Sequence, residues 1–176
     1  MISSKPLRTS GGRDHHDAER KKKGDRVCTP LFVARDLIDY FKPSGVVMEP
    51  CRGSGVIYNL LPSGALWCEI EEGVDFLNDS RKSDWIISNP PYNLTRLFLR
   101  QAFLLTDHVV FLVPARNVFS GYGTVREAHT FGSLKDLRWY GTGSSLGFPM
   151  GNGVAAFHWE RGYRGLLNES FYEDGF

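Results

Sequence analysis

Trp85-Ile86-Ile87-Ser88-Asn89-Pro90-Pro91-Tyr92, with residues 94–105 and Val109-Val110-Phe111-Leu112-Val113 behind it, decides the fold. The first four residues read as a buried strand. Residues 94–105 set Leu97, Phe98, Ala102, Phe103 and Leu105 on or near one helical stripe. The third stretch is an apolar run stopped by Pro114. Strand, helix and strand in that order describe a parallel β-α-β unit. The corner between the first two is stiff, because each proline fixes φ near −65° and lacks an amide hydrogen. The Asn89 side-chain oxygen and the Pro90 carbonyl are therefore two acceptors on one rigid edge, with the Tyr92 ring beside them. Such a corner can hold a planar amino group.

The same alternation extends outward. Upstream, Thr29 suits a helix N-cap and Pro30 the first helical turn, with Val33, Ala34, Leu37, Ile38 and Phe41 at helical spacing. Val46-Val47-Met48 reads as a strand, residues 56–61 as a helix, residues 65–68 as a second strand, and residues 73–77 as a loop with room for a brief third. Downstream, a short helix fits residues 124–129. Residues 134–140 and 154–160 read as two last strands, with a glycine-rich loop between them and no obvious helix. The pattern predicts an α/β fold: a doubly wound, mostly parallel, Rossmann-like sheet with an antiparallel hairpin at its edge.

Ligands of such sheets bind at the carboxyl ends of the strands, and three acidic residues fall there. Glu49 opens the turn Glu49-Pro50-Cys51-Arg52-Gly53-Ser54-Gly55, where the glycines let the backbone approach a ligand. A carboxylate at that point suits a cation such as an α-amine better than a pyrophosphate, and no third glycine completes a dinucleotide fingerprint. Glu69, at the end of the second strand, can accept from both hydroxyls of a ribose or stand as a surface carboxylate. Asp75-Phe76 can pair an acceptor with a ring face, although Phe76 also fits the core.

Taken together, these motifs resemble those of the S-adenosylmethionine-dependent amino methyltransferases, most closely the small phage-type DNA N6-adenine methyltransferases. The resemblance covers roughly residues 29–160. By it, Thr29 and Pro30 occupy the cofactor-tail position, and Glu49, Pro50, Gly53 and Gly55 the cofactor loop. Glu69 matches the ribose acid, Asp75 and Phe76 the adenine pair, and Asn89, Pro90, Pro91 and Tyr92 the catalytic tetrapeptide. It implies methyl transfer from S-adenosylmethionine to the N6 amine of adenine in DNA, with Asn89 and Pro90 accepting the amino protons and Tyr92 stacking on the base. It also implies a nucleic-acid partner, DNA favoured over RNA. An RNA N6-adenine methyltransferase, a glutamine-amide methyltransferase and a non-catalytic S-adenosylmethionine-binding protein are the alternatives. Only 84 residues follow Tyr92, so residues 27–176 are expected to form one methyltransferase domain without a large target-recognition region.

Charge is uneven. Residues 1–26 hold eight Lys/Arg against four acids, a net +4, while the other 150 residues hold 13 against 16, a net −3. This first stretch is expected to be a flexible basic tail. Its Lys21, Lys22 and Lys23 suit a polyanion or simply a solvated segment. Arg116 and Arg126 are further candidates for phosphate contact, and each also fits scattered surface charge. Cys28, Cys51 and Cys68 form no paired motif, which points to reduced thiols and a cytoplasmic setting; the resemblance implies a bacterial or phage-infected cell. No apolar run is long enough to span a membrane. No metal is expected, since His108, His129 and His158 show no ligand spacing along the chain.

Overall fold

A computed structural model describes residues 27–173. In chain order the elements are α1 (Leu31–Phe41), β1 (Val47–Glu49), β2 (Leu66–Trp67), β3 (Trp85–Ser88), α2 (Thr95–Leu105), β4 (His108–Pro114), α3 (Ala115–Phe119), α4 (Tyr122–Phe131), β5 (Leu134–Thr142), β6 (Gly153–Glu160) and β7 (Asn168–Phe171). The strands form one sheet in the order β2-β1-β3-β4-β6-β5-β7. All neighbours are parallel except β6, which runs against both β4 and β5. Six strands therefore point one way and β6 alone points back.

The β-α-β unit read from the sequence is present. β3 pairs with β4 from Trp85↔His108 to Ser88↔Phe111, and α2 is the crossover. Side chains alternate between sheet faces with a period of two, so an unbroken apolar run is a strand covered on both sides. Val109, Phe111 and Val113 join Met48, Ile86 and Phe157 under α2, while Val110 and Leu112 join Val47, Ile87 and Ala156 under α1. Val109 to Val113 are all 0% exposed, making β4 the spine of both cores.

Four expectations change. Residues 56–61 form no helix but a single 3-10 turn, Tyr58–Leu60. Gly55 lies at φ 82° and Pro62 follows seven residues later, which leaves no length for two α-turns. The brief third strand is a lone bridge, Glu69↔Val74, followed by a 3-10 turn at Phe76–Asn78. Thr29 does not cap α1: Pro30 holds the cap position without a side-chain hydrogen bond. Finally, β5 and β6 pair antiparallel as expected, but β7 adds parallel to β5, so the hairpin is not the rim of the sheet. Among the described residues no helix is long and apolar enough to cross a membrane. The basic tail at residues 1–26 lies outside the described residues.

Candidate active site

The carboxyl ends of β1, β2 and β3 lie side by side on one edge of the sheet, because the three strands are parallel neighbours. Glu49 is the last residue of β1 and is 2% exposed. Among the described residues its Oε2 has no hydrogen-bond partner. Burial drives its pKa well above the usual carboxylate range, opposed by the Tyr58 backbone amide and the Arg52 charge. A buried acceptor without a donor is costly unless a ligand supplies one. The missing partner here is a cation or a donor.

The turn after Glu49 is fixed from several sides. Gly53 and Gly55 adopt φ of 51° and 82°, conformations that favour glycine. The Gly55 amide donates to the Arg52 carbonyl at 2.8 Å, and the Gly53 amide to Glu69 Oε2 at 2.7 Å. Glu69 Oε1 accepts from the Glu71 amide at 3.3 Å. The ribose candidate thus already clamps the glycine turn, leaving only its remaining lone pairs for hydroxyls. Arg52 pairs with Glu72 and lies 4.0 Å from the centroid of Trp67, closing the outer side of the turn. Pro50 is buried behind it.

Asp75 and Phe76 are placed differently from a ligand-facing pair. Asp75 accepts from the Leu77 amide and from Asn78 Nδ2, both at 3.0 Å, and so caps its own turn. Phe76 is 2% exposed and packs on Phe98 with ring centroids 5.1 Å apart. It is a core residue, and the apolar pocket under α2 explains why.

Asn89 follows the last residue of β3. Its Nδ2 donates to the Val27 carbonyl and to Thr29 Oγ1, both at 3.1 Å. Both amide hydrogens are therefore committed, and the orientation of the group is set. Oδ1 is buried with no partner among the described residues. The Thr29 hydroxyl, at the position the resemblance gives to the cofactor tail, thus orients Asn89, with Pro30 next in the chain. The corner is braced behind by Cys51, whose Sγ lies 2.8 Å from Ser88 Oγ and donates to the Asn89 carbonyl at 3.4 Å. Burial pushes the Cys51 thiol far up, so it remains a thiol in this role.

Pro90 is buried and Pro91 half-buried. The Tyr92 carbonyl accepts from Thr95 Oγ1 at 2.8 Å and from Asn117 Nδ2 at 2.5 Å. The Tyr92 ring is 7% exposed and belongs to the core under α2. A base stacked on it requires the ring to turn outward. Val27, Asn117 and Cys51 are supports that the sequence reading missed. Each lies 25 to 62 positions from its partner, and no local signal marks it.

Continuing the β1–β3 register past Met48↔Ile86 sets Glu49 beside Ile87, two residues short of Asn89. Strand spacing and rise then separate the two Cα atoms by about 8 Å. The two buried acceptors without donors among the described residues thus belong to neighbouring strand ends on one edge of the sheet.

The basic candidates lie elsewhere. Arg116 on α3 and Arg126 on α4 are exposed and make no ion pair among the described residues, while Lys21, Lys22 and Lys23 fall outside them. A cavity of about 770 Å³ between α2 and α4 is lined by Arg96, Arg100, Tyr122, Arg126 and Arg161 among others. Glu127 pairs with Arg96 and Arg100 there.

No family model and no curated protein matches the chain. Solved structures do resemble it in fold. A protein assigned to the class I S-adenosylmethionine-dependent methyltransferases from Listeria monocytogenes superposes with a TM-score of 0.62 at 13% identity, over 88% of this chain and 68% of its own. A subunit assigned as the modification subunit of a type I restriction enzyme from Vibrio vulnificus gives 0.57 at 14%, over 90% of this chain and 49% of its own. The present chain thus spans about half of that subunit. A protein assigned as an RNA methyltransferase from Pyrococcus horikoshii gives 0.52 at 18%, over 74% and 81%. The fold is that of the Rossmann-like class I methyltransferases.

Proposed function

We propose that the chain transfers a methyl group from S-adenosylmethionine to the N6 amine of adenine in DNA. The observation that carries this reading is the pair of buried, unpartnered acceptors, Glu49 Oε2 and Asn89 Oδ1, on adjacent strand ends. The residues present fit the donor. Glu49 supplies a carboxylate for its amino group. The glycine turn leaves space at Gly53 itself, where a Cβ would meet nothing within 4 Å. Glu69 offers its remaining lone pairs to the ribose. When bound, S-adenosylmethionine supplies a methyl carbon activated by its sulfonium.

The rest falls to the corner after β3. Asn89 has both amide hydrogens engaged by Val27 and Thr29, so the acceptor Oδ1 is the end left for a ligand. It accepts a hydrogen bond from one amino hydrogen of the base, and the Pro90 carbonyl accepts one from the other. The nitrogen lone pair is thereby turned out of the plane of those two bonds, toward the methyl carbon. Once the new N–C bond has formed, one of these hydrogens leaves as a proton to water. Rate comes from positioning and from two acceptors aimed at positive charge growing on nitrogen. Asn117 and Thr95 hold the Tyr92 carbonyl and keep the corner from relaxing. Arg116, Arg126 and the basic stretch at Lys21, Lys22 and Lys23 are assigned to phosphates, with DNA preferred over RNA. That substrate puts the protein in the cytoplasm of a bacterial or phage-infected cell.

The test is methylation of DNA and RNA pools with labelled donor, followed by nucleoside mass spectrometry. N6-methyl-2′-deoxyadenosine label from DNA, lost in Asn89→Ala with donor binding intact, supports the proposal. Label confined to RNA moves the substrate to the second nucleic acid. Label at another nitrogen, or wild-type rates in Asn89→Ala, removes it.

A further inference from the structure

At the opposite edge of the sheet, three strands bring together side chains that the methyl-transfer reading does not use. His108 opens β4 and its antiparallel partner is Glu160; Val110, two residues on, faces His158. His158 in turn faces Asp136 on β5. Residues two apart share a face, so all four project on the α1 side, where Phe41 lies 5.7 Å from the His158 ring.

The atoms are close. His108 Nδ1 is 3.2 Å from His158 Nε2 and 3.8 Å from Glu160 Oε2. All three ligand atoms lie within 4.8 Å of one another. Tetrahedral coordination with bonds of about 2.0–2.1 Å separates ligand atoms by about 3.3 Å. The imidazole pair already has that spacing, and the Glu160 oxygen has to close in from 3.8 Å on His108.

The surroundings fit as well. His158 is 3% exposed and its Nδ1 sits 2.6 Å from Asp136 Oδ2. That bond assigns the proton to Nδ1 and leaves the lone pair on Nε2, aimed into the cluster. A carboxylate behind a ligating imidazole is the usual support of a metal site. Trp85 stacks on both imidazoles, 4.3 Å from His108 and 5.1 Å from His158, and fixes their planes.

We propose that His108 Nδ1, His158 Nε2 and Glu160 Oε2 form a binding site for a first-row divalent ion of the zinc class, with Asp136 supporting His158. Two imidazoles and one carboxylate favour zinc, cobalt or nickel over magnesium or calcium. Binding involves no redox change. His158 keeps its Nδ1 proton, His108 carries its proton on the other ring nitrogen, and Glu160 exchanges its ion pair with Lys135 for the metal. The ion braces β4, β6 and β5, including the one reversed strand. Linear spacing could not show this site, because its ligands come from strands fifty residues apart.

The competing account is a purely hydrogen-bonded His108–His158–Asp136 chain, which needs no ion. Zinc titration of the full chain by calorimetry, after chelator treatment, separates the two. His15 and His16, outside the described residues, are a second imidazole pair, so the titration is repeated in the His15→Ala/His16→Ala variant. The proposal expects one equivalent of zinc in both, a Tm rise of about 5–10 °C at a hundredfold excess over Kd, and intense visible absorption with cobalt. Asp136→Asn should weaken binding about 10–100-fold. Lys135→Met, which removes the competing cation, should tighten it. Should His108→Ala fail to fold, Glu160→Gln gives the same comparison with a substitution that keeps the side-chain shape. No zinc binding in the His15/His16 variant, or undiminished binding in His108→Ala or Glu160→Gln, overturns the proposal.

Discussion

Replacing Glu49 by Gln separates the stability of the free protein from its use of the donor. The substitution keeps the shape and removes the charge. In the fold Glu49 is 2% exposed with one oxygen unpartnered, and burial raises its pKa above the ordinary 4.5. A carboxyl whose folded pKa is raised binds its proton more tightly in the fold than in the unfolded chain. Its contribution to stability is best below pH 4.5, declines as pH rises toward the folded value, and is flat beyond it. At pH 8 Glu49→Gln is therefore expected to stabilise the free protein. The size is on the order of 1–2 kcal/mol, the penalty of a buried group left unmatched. For a chain of 176 residues this raises Tm by about 2–8 °C. Donor binding should move the other way, because a hydrogen bond to a charged group contributes about 1.5–3 kcal/mol, or a loss of about 10–150-fold in affinity. Scanning fluorimetry at pH 5 and 8, with calorimetry using S-adenosylmethionine, reads both effects. Methylthioadenosine, which lacks the amino-acid portion, should bind both proteins alike. A variant that binds S-adenosylmethionine within threefold of wild type, or that melts lower at pH 8, would refute the assignment of Glu49 to the amine.

The other predictions test the supports around the site. Asn117→Ala removes a bond to the Tyr92 carbonyl; kcat should fall at least tenfold while the donor Kd stays within twofold, and an unchanged kcat removes Asn117 from the positioning set. Gly53→Ala forces a side chain to φ 51° and should cost about 1–2 kcal/mol in urea unfolding, together with weaker donor binding. Asp79, 6% exposed in its side chain, is held down to about 2 from 3.8, first by the Arg81 guanidinium. Its stabilising contribution is present above pH 3.8 and fades as pH falls toward 2. With Arg81 44% exposed, screening limits it to about 1 kcal/mol, so Asp79→Asn should lose that much at pH 7 and converge with wild type near pH 2. Deleting residues 1–26, net +4, should weaken nucleic-acid binding and flatten its salt dependence; an identical slope in a filter-binding titration rules out a phosphate role for the tail.

The sequence made some of this visible and hid the rest for physical reasons. The run Val109-Val110-Phe111-Leu112-Val113 announces a strand covered on both faces, and every one of those side chains is fully buried. Asn89-Pro90-Pro91-Tyr92 is equally visible, because double proline permits few backbone shapes. β7 was missed because Asn168-Glu169-Ser170-Phe171 is mostly exposed and carries no apolar alternation. The helix expected at residues 56–61 failed because periodicity says nothing of whether Gly55 and Pro62 leave room for it. Phe76 illustrates a further limit: a ring beside an acid looks the same in sequence whether it faces a ligand or the core. The contact of Asn89 with Thr29 arises only from how the segment before α1 packs on the sheet, and that of His108 with His158 only from strand order.

The reversed strand β6 has a consequence for how the sheet closes. β4 is flanked by β3 on one side and β6 on the other, yet α3, α4 and β5 come between β4 and β6 along the chain. Until the returning strand slots into the gap, β4 presents an open edge carrying the apolar run from Val109 to Val113, the kind of template that invites pairing with a neighbour. Closure of the sheet thus waits on one long-range antiparallel pairing, and truncation before residue 153 should yield chains that aggregate or depend on chaperones.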